Sequence, residues 1–154
     1  MITYTFVQTS EQFKAAALLF NEYALTLNIS LSFQHFEEEL LALHEMYSAP
    51  SGGIILALDA NQYVGCVAIR KINEQQGELK RMYVKPSHRN KGIGKQLLEA
   101  ATQLAKDCGY QYLKLDTLNY MHEAIKLYTA AGFYEVPAYY FNPEPTAVYF
   151  EKQL

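Results

Sequence analysis

The chain has no tryptophan, two cysteines and no apolar run longer than a few residues. Each scarcity removes a class of protein. Cys66 and Cys108 are too few for a disulfide framework and sit at no metal-ligand spacing. His35, His44, His88 and His122 do not cluster either, so reduced thiols and no metal are expected. The longest apolar stretches, Ala15–Phe20 and Ile54–Leu58, fall far short of the roughly 20 residues that cross a membrane. The amino terminus lacks the basic-then-apolar layout of a secretory signal, and a cytoplasmic protein is the expectation. A net charge of -3 gives no general affinity for nucleic acid. There is no linker, repeat or low-complexity tract, and 154 residues suit one domain, 1–154. A chain of that length buries roughly 70% of the surface its unfolded form exposes.

What is present reads as a mixed α+β pattern. Ile2–Val7 alternates as a strand, and Ser10 can cap a helix carrying Phe13, Ala17, Phe20 and Leu27 at helical spacing. A second helix is predicted from about Gln34 to Tyr47, stopped by the Pro50–Gly53 turn residues. Two strands around a polar turn at Asp59–Gln62 follow, then a third alternating segment, Glu78–Val84. Strict alternation would put Glu78, Lys80, Met82 and Val84 on one face, with Leu79, Arg81 and Tyr83 on the other. A helix from about Lys91 to Asp107 ends at Gly109. A strand from Tyr110, a short helix closed by Gly132 and a last strand, Ala147–Leu154, complete the chain.

Charge is unevenly spread. Lys80, Arg81, Lys85, Arg89, Lys91 and Lys95 are six of the thirteen basic residues, and no acid lies among them. They surround a strand–loop–helix junction containing Gly92 and Gly94. Glycines let a ligand approach the backbone, and a helix amino terminus favours an anion, so a phosphate or diphosphate is the natural guest. Two nucleotide motifs fail here. A P-loop needs glycine at Arg89 and Ser or Thr at Gln96, and a dinucleotide fingerprint needs glycine at Leu97.

The run Arg89-Asn90-Lys91-Gly92-Ile93-Gly94 instead resembles the Arg/Gln-x-x-Gly-x-Gly/Ala signature of the GNAT family of N-acetyltransferases. The later block, Leu127-Tyr128 through Gly132-Phe133, is similar to that family's Leu-Tyr-x-x-x-Gly-Phe ending. The resemblance implies a mostly antiparallel twisted sheet, splayed at the cofactor site and flanked by helices. It implies acetyl-CoA as cosubstrate, without metal, and a primary amine of a small molecule or peptide as acceptor, attacking directly in a ternary complex. The backbone from Arg89 through Asn90, Lys91, Gly92, Ile93 and Gly94 to Lys95 would wrap the pyrophosphate. The strand Met82-Tyr83-Val84 would carry the pantetheine arm. Tyr128 would be the general acid toward the leaving thiolate, and Glu78 the candidate base.

One position departs from the family. Many relatives have Asn three residues before the Ala of Ala-x-x-Leu-Tyr; here that residue is Met121, and Asn119 is the candidate in its place. The resemblance also implies that Leu25–Phe36 and Tyr139–Pro145 shape the acceptor site, with Tyr139 and Tyr140 either walling a pocket or covering the sheet. Glu37, Glu38 and Glu39 read as a solvated helix face, and His88 as a loop residue facing water. The alternative function is a non-catalytic acyl-CoA-binding sensor of the same fold, and a homodimer is left open.

Overall fold

The structure is a computed structural model that describes residues 1–27 and 35–154. In chain order the elements are β1 (Ile2–Phe6), α1 (Ser10–Thr26), α2 (Phe36–Leu41), α3 (Leu43–Met46), β2 (Gly53–Asp59), β3 (Gln62–Lys71) and β4 (Gln76–Val84). A 3-10 turn, Pro86–His88, leads to α4 (Ile93–Asp107), β5 (Tyr112–Leu118), α5 (His122–Ala130), β6 (Tyr134–Val136) and β7 (Ala147–Gln153). The strands form one sheet in the order β1-β2-β3-β4-β5-β7-β6. All neighbours are antiparallel except β4 with β5.

Local chemistry sets most of the boundaries. Helix α1 is capped by Thr9, not Ser10: Thr9 Oγ1 accepts from the Gln12 N–H at 3.1 Å, and Gln12 Oε1 accepts from the Thr9 N–H at 3.0 Å. Three residues after Thr9 stands a Gln that can close this capping box, whereas three after Ser10 stands Phe13. The second predicted helix breaks at Ala42, whose φ of -124° is not helical, into α2 and α3. Alanine is the best helix former, so intrinsic propensity does not account for the break. Helix α4 lays Leu97, Leu98, Ala101 and Ala105 on one face of the sheet, against Ile55, Val67, Ile69 and Leu113. Helices α1 to α3 bury Leu19, Phe20, Leu43 and Tyr47 on the other, against Ile54, Leu56 and Ala68.

Two irregularities of β4 give the sheet its opening. Cys66 faces Tyr83 and Ala68 faces Lys80, so Val67 alone opposes both Arg81 and Met82. This is a bulge, and Arg81 occupies it at φ +58°. A bulge reverses the alternation beyond it. The expected face of Glu78, Lys80, Met82 and Val84 is therefore corrected. Leu79, Met82 and Val84 pack with α4, whereas Lys80 and Arg81 turn together toward α2, and Tyr83 packs with α1. The second irregularity is a parting of strands. β4 and β5 pair only over Gln76–Glu78 and Tyr112–Lys114, so β4 has no strand partner on that side from Leu79 onward.

The bulge is anchored by charge. Arg81 Nε donates to Glu39 Oε2 at 2.9 Å and Nη2 to Glu39 Oε1 at 3.1 Å. Its guanidinium lies 5.2 Å from the Phe36 ring centroid, and Cys66 Sγ donates to the Arg81 carbonyl at 3.2 Å. Glu39 is 1% exposed, which corrects the solvated reading of this acidic run; Glu38 is exposed, and the Glu37 side chain lies outside the described residues. Burial alone would raise the Glu39 pKa, but the hydrogen-bonded Arg81 overcomes it and holds the carboxyl below its usual value. Glu39→Gln is expected to cost about 3–5 kcal/mol by urea denaturation, because Arg81 and Lys80 lose their buried counter-charge. With a depressed folded-state pKa, this contribution is full above the ordinary carboxylate range and disappears as pH falls through the Glu39 pKa.

Candidate active site

The loop after β4 has the backbone of an anion site. Asn90 has φ +62°, and Gly92, the residue before α4, has φ +78° and ψ 7°. Left-handed residues set among extended ones turn successive N–H groups toward a common point. No side chain caps α4, so its first-turn N–H groups are open to a ligand. A Cβ added at Gly92 would meet nothing within 4 Å, leaving the approach to this backbone clear. The loop opens on a groove of about 440 Å³, lined by Met82 and Val84 of β4, Arg89, Gly92 and Gly94 of the loop, and Leu127 of α5. Arg89 folds back, its Nε donating to the Val84 carbonyl at 3.1 Å and its guanidinium lying 5.8 Å from the Tyr83 ring centroid. These residues suit a diphosphate-bearing cofactor with an extended arm along the unpaired edge of β4.

The groove continues inward. Tyr23, Met82, Met121 and Ala124 line both it and a cavity of about 80 Å³ between the parted strands. Lys80 and Arg81 border this cavity from β4, Asp116 from β5, Asn142 from the loop before β7 and Tyr128 from α5. The Leu-Tyr-x-x-x-Gly-Phe block explains how Tyr128 is held. The Phe133 N–H bonds to the Tyr128 carbonyl at 3.0 Å and the Gly132 N–H to the Thr129 carbonyl at 3.1 Å, the paired bonds of a Schellman motif. Gly132 takes the required positive φ of 98°, and the Phe133 ring packs on Tyr128 at 5.8 Å between centroids. Burial raises the Tyr128 pKa, keeping the phenol protonated.

The loop before β7 contributes two phenols. Tyr139 donates to Glu78 Oε2 at 2.6 Å, and Tyr140 donates to Asp116 Oδ2 at 2.6 Å. Glu78 gives its other oxygen to Arg70 Nε at 2.9 Å and is 3% exposed. Both of its oxygens are engaged, and it does not line the cavity. Asp116 does line it; burial pushes its pKa up, against the Tyr140 hydrogen bond, and the charge of Glu78 pushes the same way.

Among the residues singled out from sequence, Tyr128, Met82, Tyr83, Val84, Arg89, Asn90, Gly92, Ile93 and Gly94 come together along the groove and cavity. Lys91 is exposed on the loop, and Lys95 faces a neighbouring cleft between α4 and α5. Asn119 is exposed and lines neither space; Met121 does. His88 is not a water-facing loop residue, since its Nε2 lies 2.9 Å from Asp59 Oδ2 and ties the loop to the β2–β3 turn. Residues 28–34 of the expected acceptor segment lie outside the described residues. Asp116 and Lys80 were missed as site residues. Asp116 lies within a strand without a motif around it, and Lys80 reads from sequence as one of the basic run and as a strand position on the Glu78 face, with no sign of a cavity. Among the described residues no group of His, Cys, Asp or Glu could hold a metal ion, and no helix is long and apolar enough to cross a membrane.

The splayed sheet, the uncapped helix entrance and the buried tyrosine define an acyl-CoA-dependent acyltransferase class, and comparisons with known proteins agree. The family model "Acetyltransferase (GNAT) family" matches residues 18–133. An uncharacterised N-acetyltransferase of Schizosaccharomyces pombe is 32% identical over 139 residues, 89% of this chain and 85% of that protein. A Streptococcus agalactiae acetyltransferase superposes with a TM-score of 0.81 at 19% identity, covering 99% of this chain and 98% of the other. A GNAT family acetyltransferase from Elizabethkingia anophelis, solved with acetyl-CoA bound, superposes at 0.72 with 22% identity, covering 99% and 98%. The chain belongs to the GNAT family and is an N-acetyltransferase that uses acetyl-CoA. Gly92→Asp, which places a carboxylate at the open entrance to α4, is expected to weaken acetyl-CoA binding at least tenfold in calorimetric titration.

Proposed function

We propose that the chain acetylates a primary amine of a small molecule by direct attack within the 80 Å³ cavity, with Asp116 as base and Tyr128 as acid. The observation that carries this reading is that one cavity, sharing four lining residues with the groove, is lined by both a carboxylate and a buried, protonated phenol. The backbone from Arg89 to Lys95 holds the pyrophosphate, and the free edge of β4 at Met82 to Val84 holds the pantetheine arm. Bound there, acetyl-CoA supplies an acetyl group already activated as a thioester.

An alkylammonium must lose a proton before its nitrogen can attack, and Asp116 is the carboxylate positioned to receive it. A raised pKa suits that task, because a stronger base shares more of the proton in the transition state. A backbone N–H on the free edge of β4 polarises the thioester carbonyl. As the C–N bond forms and the C–S bond breaks, Tyr128 donates its proton to the departing sulfur. The second proton lost by nitrogen restores the phenol. Glu78 takes the role of a positioning residue: held by Arg70, it fixes Tyr139, and with it the loop whose next residue holds Asp116.

Tyr128→Phe is expected to lower kcat about 10²-fold or more while leaving acetyl-CoA affinity near wild type, as read by thiol release and calorimetry. Asp116 must be ionised to act, so kcat/KM should rise with pH through a carboxyl pKa above that of ordinary aspartate. Asp116→Asn should remove this acidic limb and lower turnover by a comparable factor. A full acidic limb in that variant would exclude Asp116 as the base.

A further inference from the structure

Lys80 is the least satisfied charge among the described interior residues. It is 8% exposed and lines the cavity, yet its ammonium makes one described contact, 3.7 Å to Glu39 Oε1. That distance is an ion pair without a hydrogen bond. Both Glu39 oxygens meanwhile accept from Arg81 at hydrogen-bond distance. One carboxylate is thus shared by two cations at this wall of the cavity. The charge of nearby Glu78 also favours the Lys80 ammonium, but its two oxygens accept from Arg70 and Tyr139. An ammonium with three donors and no acceptor at hydrogen-bond distance is costly in a protein interior unless water or a ligand completes it.

The same cavity also carries a carboxylate. Asp116 lines the same cavity from β5, and Tyr140 fixes its orientation. A cavity of about 80 Å³ has room only for a compact head group. It therefore presents a cation and a carboxylate to a single small guest.

We propose that the acceptor is a small amino acid whose carboxylate pairs with Lys80 while its amine faces Asp116. This rests on the cavity being the acceptor site. Lys80 then sets specificity: an incoming carboxylate supplies the hydrogen-bond acceptors that Glu39 withholds. Burial, reinforced by the charge of Arg81, lowers the Lys80 pKa, and a carboxylate bound beside it would reverse that strain. Discrimination should be steep, since an analogue without the acid group leaves the buried ammonium unpaired.

The test is thiol release by the full chain with acetyl-CoA and matched sets of acceptors. Each set contains a free amino acid, its carboxamide and the amine lacking the carboxyl group. The expected result is a kcat/KM at least tenfold higher for the free acid in one or more sets. Lys80→Met should erase that advantage, the acid losing at least tenfold more than its amide. Amides or simple amines matching the acid in every set would overturn the assignment, and wild-type protein alone decides this if the variant does not fold. Two failures are distinguishable. An acid-to-amide ratio near one, with Asp116→Asn crippled, removes the role of Lys80 only. Wild-type turnover in Asp116→Asn removes the cavity reading and this inference with it.

Discussion

Arg81 stands where β4 carries one residue more than β3 can match, and the site depends on how that misfit is held. A positive φ at a residue with a long side chain costs about 1 kcal/mol or more, and nothing in the local sequence relieves it. The compensation is tertiary. Glu39 from α2 takes the guanidinium on two hydrogen bonds, Phe36 covers its face and the Cys66 thiol bonds the Arg81 carbonyl. Because of the extra residue, Lys80 and Arg81 turn the same way, while Met82 and Val84 turn to the α4 side. Beyond the short pairing at Gln76–Glu78, β4 and β5 diverge, and the space between them is the cavity.

Three buried or half-buried carboxylates surround this opening, and their partners divide the work. Glu39, shared by two cations, locks the bulge. Glu78, with one oxygen on Arg70 and the other on Tyr139, secures the loop before β7. Asp116 faces the cavity, with burial raising its pKa. Tyr139 and Tyr140 also pack edge-on against Tyr149, so the two phenols reach their carboxylates from one aromatic cluster. The same residue type supports the sheet, orients a loop or faces the cavity according to what already occupies its oxygens.

How much of this was legible in sequence depends on how local the cause is. The glycine-rich entrance to α4 was, because left-handed backbone at Gly92 and uncapped N–H groups arise from a few consecutive residues. The block around Tyr128 was too: its Tyr, Gly and Phe belong to one helix-ending motif, which closes within a turn or two of chain. The order of strands and helices came from periodicity and turn residues. Less was visible for the acceptor side. Alternation put Glu78 with Met82, and one extra residue in β4 reversed it. A run of three acids suggested solvent, yet Glu39 is among the most buried residues. Asn119, chosen by spacing, is exposed, and Met121 stands at the groove instead.

The sequence by itself determined the class of this protein. Its glycine-rich helix entrance and its candidate acid are built from short stretches whose backbone geometry is encoded by neighbouring residues. Only the tertiary structure decided which charged groups line the cavity. Lys80 and Asp116 lie 36 positions apart on strands that part before they reach the site. Glu39, which leaves Lys80 short of a hydrogen-bond partner, comes from a helix on another part of the chain. Charge balance in a low-dielectric interior depends on distance in space, and no local pattern carries it.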